Sequence, residues 1–110
     1  MNIEDIRLAL DKKIPIEYSV HCQKRMIERG ISRSDIKNCI YTGEIIEDYP
    51  LSPTNTSAES FPSCLVMGFK NASKDYIHVV VGFNSLKIII ISAYYPDDAH
   101  WENDKKTRRN

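Results

Sequence analysis

The strongest constraint on this chain is a change of hydrophobic period at Gly43. Before it, apolar residues recur at helical spacing between capping signals. Ser19 opens one such segment and Gly30 closes it. Ser32 opens the next, with Asp35 three residues on, and Gly43 closes that one. A Ser that accepts from an early backbone N–H and a Gly that can turn left-handed mark the two ends of a helix. An earlier helix starts at Asn2, carries Ile3, Ile6 and Leu10 on one side with Glu4 and Asp5 in its first turn, and is ended by Pro15. Ile16 to Tyr18 reads as extended chain or loop. After Gly43 the pattern becomes short β-branched and aromatic runs: Glu44 to Tyr49, Ser63 to Phe69, Tyr76 to Phe83 and Lys87 to Tyr95. Helices first and strands after means α+β, with N-terminal helices packed on one face of a four-stranded antiparallel sheet. The short links Lys70–Asp75 and Asn84–Ser85 predict hairpins. The irregular stretch from Pro50 to Pro62 is of a length often tied to function.

With 110 residues the chain fits one domain, and it can bury enough surface to fold without a metal or disulfide staple. Residues 1–104 are expected to form that domain, and residues 105–110 a basic, disordered tail. Cys22, Cys39 and Cys64 are odd in number and widely spaced, with no Cys-x-x-Cys pair; they read as small buried hydrophobes. The N-terminus is too polar for a signal peptide, and the longest apolar run, Ile88 to Ile91, is too short to cross a bilayer. The expected setting is a reducing cytoplasm.

Fifteen Lys and Arg balance fifteen Asp and Glu. That zero excludes a generally basic protein that coats nucleic acid, but it is a cancellation between blocks. Residues 19–37 sum to +3, residues 38–69 to −4 with no Lys or Arg, and residues 105–110 to +4.

The +3 block contains the second helix. Projected on a wheel, Val20, Cys22, Met26 and Ile27 form its apolar side, and His21, Lys24, Arg25, Glu28 and Arg29 its polar side. His21, Arg25 and then Glu28 or Arg29 are helical neighbours. A His can move a proton near neutral pH, and an Arg beside it can hold a phosphate through paired hydrogen bonds. With Lys24, Arg29 and Arg33 nearby as substrate-binding cations, this combination suits a phosphodiester. A solvated amphipathic helix shows the same residue types, so a purely structural face stays open.

On the strands, alternation puts Tyr76, His78 and Val80 on one face, and Ile88, Ile90, Ser92 and Tyr94 on one face of the last strand. His78 lies in an apolar run and reads as a core or sheet-surface histidine. Tyr94 reads as a core aromatic with its hydroxyl at the edge. The other reading of Ser92 and Tyr94 is a site on the sheet. Asp97, Asp98, His100 and Glu102 are too crowded in one short segment to favour a metal cluster, and no metal or other cofactor is expected. Trp101 is expected to anchor the C-terminus on the body.

The run Ser19-x-His21-x-x-x-Arg25-Met26-x-x-Arg29-Gly30-Ile31-Ser32 resembles a widespread bacterial family of small uncharacterised domains. The resemblance continues through Gly43-Glu44-Ile45-Ile46-Glu47-x-Tyr49-Pro50 and Pro62-Ser63-Cys64-Leu65-Val66-x-Gly68. It ends with Ile77-His78-Val79-Val80, Ile90-Ile91-Ser92-Ala93-Tyr94-x-Pro96-Asp97 and Trp101. The family pattern often has Thr at the position of Ser92. The family looks like a distant relative of the RelE and BrnT toxins. That resemblance implies a RelE-like fold and metal-independent RNA cleavage, in which the ribose 2′-OH attacks the adjacent phosphate. Carried onto this chain, His21 is the base or acid, Arg25 the phosphate clamp, and His78, Ser92 and Tyr94 secondary candidates.

The leading expectation is therefore a small RNase-like toxin domain of a toxin–antitoxin or related conflict system, acting on RNA and held in check by an antitoxin or other inhibitory protein. The rival is a non-catalytic binding or inhibitor module on the same fold, whose acidic residues 38–69 engage a basic partner. A third reading is a metal-dependent hydrolase using His78, His100 and the aspartates.

Overall fold

The computed structural model describes residues 1–49, 62–72, 75–84 and 86–109. Among the described residues three helices form where the caps direct. In α1 (Ile3–Asp11) the Asn2 side chain accepts from the Glu4 N–H. In α2 (Val20–Arg29) Ser19 Oγ accepts from the Cys22 N–H at 2.9 Å, and Gly30 ends the helix at φ 66°. A reciprocal Ser32–Asp35 capping box starts α3 (Arg33–Thr42). Arg7 of α1 donates to the Ile40 and Gly43 carbonyls at 2.9 and 2.7 Å, so a cation caps the end of α3 from a neighbouring element.

Among the described residues the sheet has five strands, not four, and is mixed. β1 (Ile16–Tyr18) runs parallel to β5 (Ile88–Tyr94), with Ile16 opposite Ile88 and Tyr18 opposite Ile90. A three-residue strand has no readable period, and a parallel partner far along the chain leaves no turn signal. The remaining strands, β2 (Glu44–Tyr49), β3 (Ser63–Phe69) and β4 (Tyr76–Phe83), form the expected antiparallel meander, giving the order β1-β5-β4-β3-β2. Residues 50–61, residues 73–74 of the expected Lys70–Asp75 link, and Ser85 of the expected Asn84–Ser85 link lie outside the described residues.

Alternation separates the two faces of the sheet, except in β5, where the register slips after Ile90 and puts Ser92 and Tyr94 on the face opposite Ile88 and Ile90, not on the shared face expected from the sequence. One face, with Cys64, Val66, Ile77, Val79, Val81, Ile88, Ile90 and Ala93, packs against the helices through Ile6, Cys22, Met26, Ile36, Cys39 and Ile40. α3 lies so close to β3 that a Cβ on Gly68 would stand 2.1 Å from the Cys39 carbonyl oxygen. The three cysteines are buried and unpaired; burial pushes the Cys39 thiol up to about 12 and Cys64 up to about 11.

The wheel reading of α2 needs one correction. Cys22 and Met26 face the core, but Val20 and Ile27 are 81% and 85% exposed. The buried stripe is narrower than the apolar content suggested, because α2 covers the margin of the sheet rather than its centre. There Ser19 Oγ donates to the Ile91 carbonyl at 2.8 Å and Arg29 Nη1 to the Ala93 carbonyl at 3.0 Å, on strand β5 beyond the reach of β1.

The second face carries Leu65, Met67, His78, Val80, Ser92 and Tyr94, joined by Glu44, Glu47 and Tyr49 of β2. A bulge between Ile45 and Glu47 resets the register so that both Glu44 and Glu47 reach this face. No helix covers it. The C-terminal segment does: Arg109 N–H donates to the His100 carbonyl and Glu102 N–H to the Thr107 carbonyl, closing a small hairpin over Trp101 and Arg108. Residues 105–109, expected as a disordered tail, are folded back here. Lys106 pairs with Glu44 at 3.0 Å and Arg108 with Glu47 at 2.6 Å.

Candidate active site on the second face of the sheet

His78 is the buried polar side chain of this face, at 0% exposure. Its position follows from β4 alternation: it points away from the helices because Ile77 and Val79 point toward them. The ring is held on every side. Nε2 lies 2.6 Å from the Lys105 carbonyl, which can only accept, so Nε2 carries the hydrogen. Nδ1 then accepts from the Tyr94 hydroxyl at 3.2 Å. Trp101 stands edge-on at 4.4 Å between ring centres and Tyr94 at 5.2 Å. Burial lowers the His78 pKa below the ordinary imidazole value, partly offset by the Lys105 carbonyl. The neutral ring therefore has a fixed tautomer with its acceptor nitrogen aimed at Tyr94. Burial pushes the Tyr94 hydroxyl up to about 12, so it keeps its proton at neutral pH.

Beside this pair lies a charged group. Arg108 grips Glu47 in a fork, Nε to Oε2 at 2.6 Å and Nη2 to Oε1 at 2.9 Å. The Tyr49 hydroxyl donates to the same carboxylate. These hydrogen bonds, Arg108 foremost, hold the Glu47 carboxyl below the usual carboxylate range. The Arg108 guanidinium also lies over the Trp101 ring at 4.6 Å. Arg108 remains about half exposed and Tyr49 is 37% exposed, so this half of the cluster is open to a ligand while His78 is closed off behind it. A carboxylate, a guanidinium and a protonated phenol on one surface supply a base, an anion clamp and a proton donor.

The residues expected from the sequence fall into two groups, which no hydrogen bond, ion pair or ring contact joins. His78, Ser92 and Tyr94 share the second face. His21 and Arg25 lie on α2: His21 is exposed and without a hydrogen-bond or ion-pair partner among the described residues, and Arg25 pairs with Glu28 at 2.8 Å. Lys24 is exposed, Arg29 is bound to the β5 carbonyl, and the Arg33 guanidinium lies 4.8 Å over the Tyr18 ring. Sequence reasoning missed Glu47, Tyr49 and Arg108. The i, i+2 pair Glu47/Tyr49 was visible, but the bulge that orients it was not, and Arg108 looked like part of a tail.

His100 is bound to Asp97 at 2.8 Å, away from the buried His78, and among the described residues no three His, Cys, Asp or Glu side chains are grouped to hold a metal ion. No described helix is long and apolar enough to cross a membrane. Residues 18–95 match the family model DUF4258, a domain of unknown function. No curated protein and no solved structure gives a significant match.

Proposed function

Starting from the fact that the chain belongs to the DUF4258 family of domains of unknown function, we propose that it is a metal-independent endoribonuclease of RelE- and BrnT-like ancestry. In this reading it is the toxin of a cytoplasmic toxin–antitoxin or related conflict system, restrained by an antitoxin or other inhibitory protein. The observation that carries the reading is the convergence of Glu47, Arg108, Tyr49, Tyr94 and His78 on the sheet face opposite the helices. Arg108 turns from Glu47 to the scissile phosphate. Glu47, released, takes the proton of the ribose 2′-OH. The 2′-oxygen attacks phosphorus, the P–O5′ bond breaks, and a 2′,3′-cyclic phosphate forms. The Tyr94 O–H, held on His78 Nδ1 in the resting fold, turns to the leaving 5′-oxygen and protonates it, leaving the phenolate. His78 is a positioning residue that orients Tyr94 from behind, and Ser92 is its neighbour across from Val80.

The test is cleavage of single-stranded RNA with purified variants. Glu47→Gln and Arg108→Ala are each expected to reduce the rate about a hundred- to ten-thousandfold, while His21→Ala with Arg25→Ala leaves it within a few-fold. The reverse result moves the site to the exposed His21/Arg25 face of α2. If the wild type cleaves no RNA and arrests no growth, the enzyme reading is wrong. A second reading, a non-catalytic module that binds a protein partner, draws on the complete burial of His78 under Trp101 and the C-terminal hairpin. A stable protein partner, with no nuclease activity once that partner is removed, is the result it requires.

A further inference from the structure

The second face continues past the Glu47/Tyr94 cluster into a groove of about 300 Å³, lined by Gly43, Glu44, Met67, Phe69, Tyr76 and Lys106 among others. Tyr76 precedes His78 by two residues on β4 and points the same way, one strand step of ~7 Å away. Met67, in the groove, sits directly across from His78 and from Glu44. Tyr76 is 40% exposed, and its ring is backed by Phe69, stacked at 4.9 Å and 23°. This pair is a supported flat aromatic surface rather than a loose side chain. Lys106 stands at the rim, half exposed and paired with Glu44 at 3.0 Å. A flat ring, a cation beside it and a carboxylate that accepts from amino groups are the complement of a nucleotide: base on ring, phosphate on ammonium.

We propose that this groove is a base-binding subsite for single-stranded RNA, in which a nucleobase stacks on Tyr76 and the phosphate attached to it meets Lys106. The inference rests on the cleavage reading above and adds where the substrate is held. The ring is one strand step from His78 and two from Val80, the β4 residue level with Glu47, so the base on Tyr76 belongs to a nucleotide a short way along the strand from the scissile phosphate. Stacking makes the subsite tolerant of sequence, and Glu44 favours a base presenting an amino group.

The experiment uses the full chain and an end-labelled RNA oligonucleotide that is 2′-O-methylated throughout, so that it lacks the attacking hydroxyl. Binding is read by fluorescence anisotropy at low salt, and cleavage of the unmodified RNA is measured in parallel. Tyr76→Leu, which keeps bulk but loses the flat face, is expected to weaken binding about tenfold, and Tyr76→Phe to bind as the wild type does. An abasic residue at one position of the oligonucleotide should cost the wild type the same factor and cost Tyr76→Leu nothing further. Unchanged binding by Tyr76→Leu, or losses that simply multiply, overturns the subsite. If that happens while the wild type still cleaves RNA, the groove assignment falls alone. Tyr76-dependent binding without cleavage removes the catalytic reading and leaves the subsite standing. No binding by the wild type overturns the subsite as well.

Discussion

His78 is the residue whose chemistry the fold controls most tightly. The groups facing it are the Lys105 carbonyl, the Tyr94 hydroxyl, the Trp101 ring, and the more distant Glu47 and Arg108 charges. Burial is the largest influence, and it lowers the pKa below the 6.5 of a free imidazole. An unfolded chain therefore binds a proton in a window where the native one does not, and stability rises with pH through that window. The stabilisation is complete above about pH 6.5. It is lost progressively as the pH falls from there toward the lower native value. Urea unfolding at pH 7.5 and 5.5 should show the wild type losing more stability than His78→Gln across that interval. The carboxylates held low by their partners, Glu47 among them, titrate at more acidic pH and are common to both proteins. Equal losses would mean that His78 takes up a proton in the native state as easily as in the unfolded one. That His78 is a core or sheet-surface histidine was readable from the apolar run around it. Its tautomer was not, because the carbonyl that fixes it comes from Lys105, in a segment with no local signal of order.

Among the elements, α2 shows where pattern and packing part. The sequence supplies Val20, Cys22, Met26 and Ile27 as one apolar group, but only Cys22 and Met26 enter the core. The caps at Ser19 and Gly30 fix where the helix starts and stops. Its rotation is fixed instead by contacts to β5, through Ser19 on Ile91 and Arg29 on Ala93. Met26→Ala is then expected to cost about 2–5 kcal/mol in thermal or urea unfolding, and Ile27→Gln less than about 0.5 kcal/mol. Comparable losses at the two positions would place Ile27 inside. The α3–β3 contact makes the opposite point, that a residue with no side chain can be the tightest in an element pair. A methyl at Gly68 would overlap backbone of Cys39, which cannot rotate away. Gly68→Ala is expected to destabilise by about 1–3 kcal/mol with the helix content unchanged by circular dichroism. The strands of the meander were legible because their β-branched and aromatic runs are long enough to read, but the slips in β2 after Ile45 and in β5 after Ile90 were not, and the second sends Ser92 and Tyr94 to the face opposite Ile90. β1 was not, since its three residues acquire meaning only from β5, the last strand to be made.

At the scale of the whole molecule, zero net charge turns out to have a spatial form. The basic C-terminus, which sums to +4, lies against the strand that opens the −4 stretch, through Lys106 on Glu44 and Arg108 on Glu47. Charge counting found the two blocks; it could not show that they meet. Exposed pairs of this kind are worth roughly 0–1 kcal/mol each and are screened by salt, so they do not hold the hairpin alone. Trp101 does more: it is 2% exposed and packs on both His78 and Arg108. Removing residues 105–110 takes away the Lys105 carbonyl, the Arg108 guanidinium and the cover over this face, but touches nothing in the core beneath the helices. The shortened chain should therefore keep its cooperative unfolding. Emission from Trp101, the single tryptophan, should shift to longer wavelength as water reaches the ring. Two changes then act on His78 in opposite directions. Losing the carbonyl acceptor lowers its pKa and losing burial raises it; burial is the larger influence in the intact fold, so the net movement is upward, toward an ordinary imidazole. An NMR titration of the imidazole in the two chains reads this directly. A shortened chain with unmoved emission and an unmoved His78 titration would show that the hairpin rests beside the second face without sealing it.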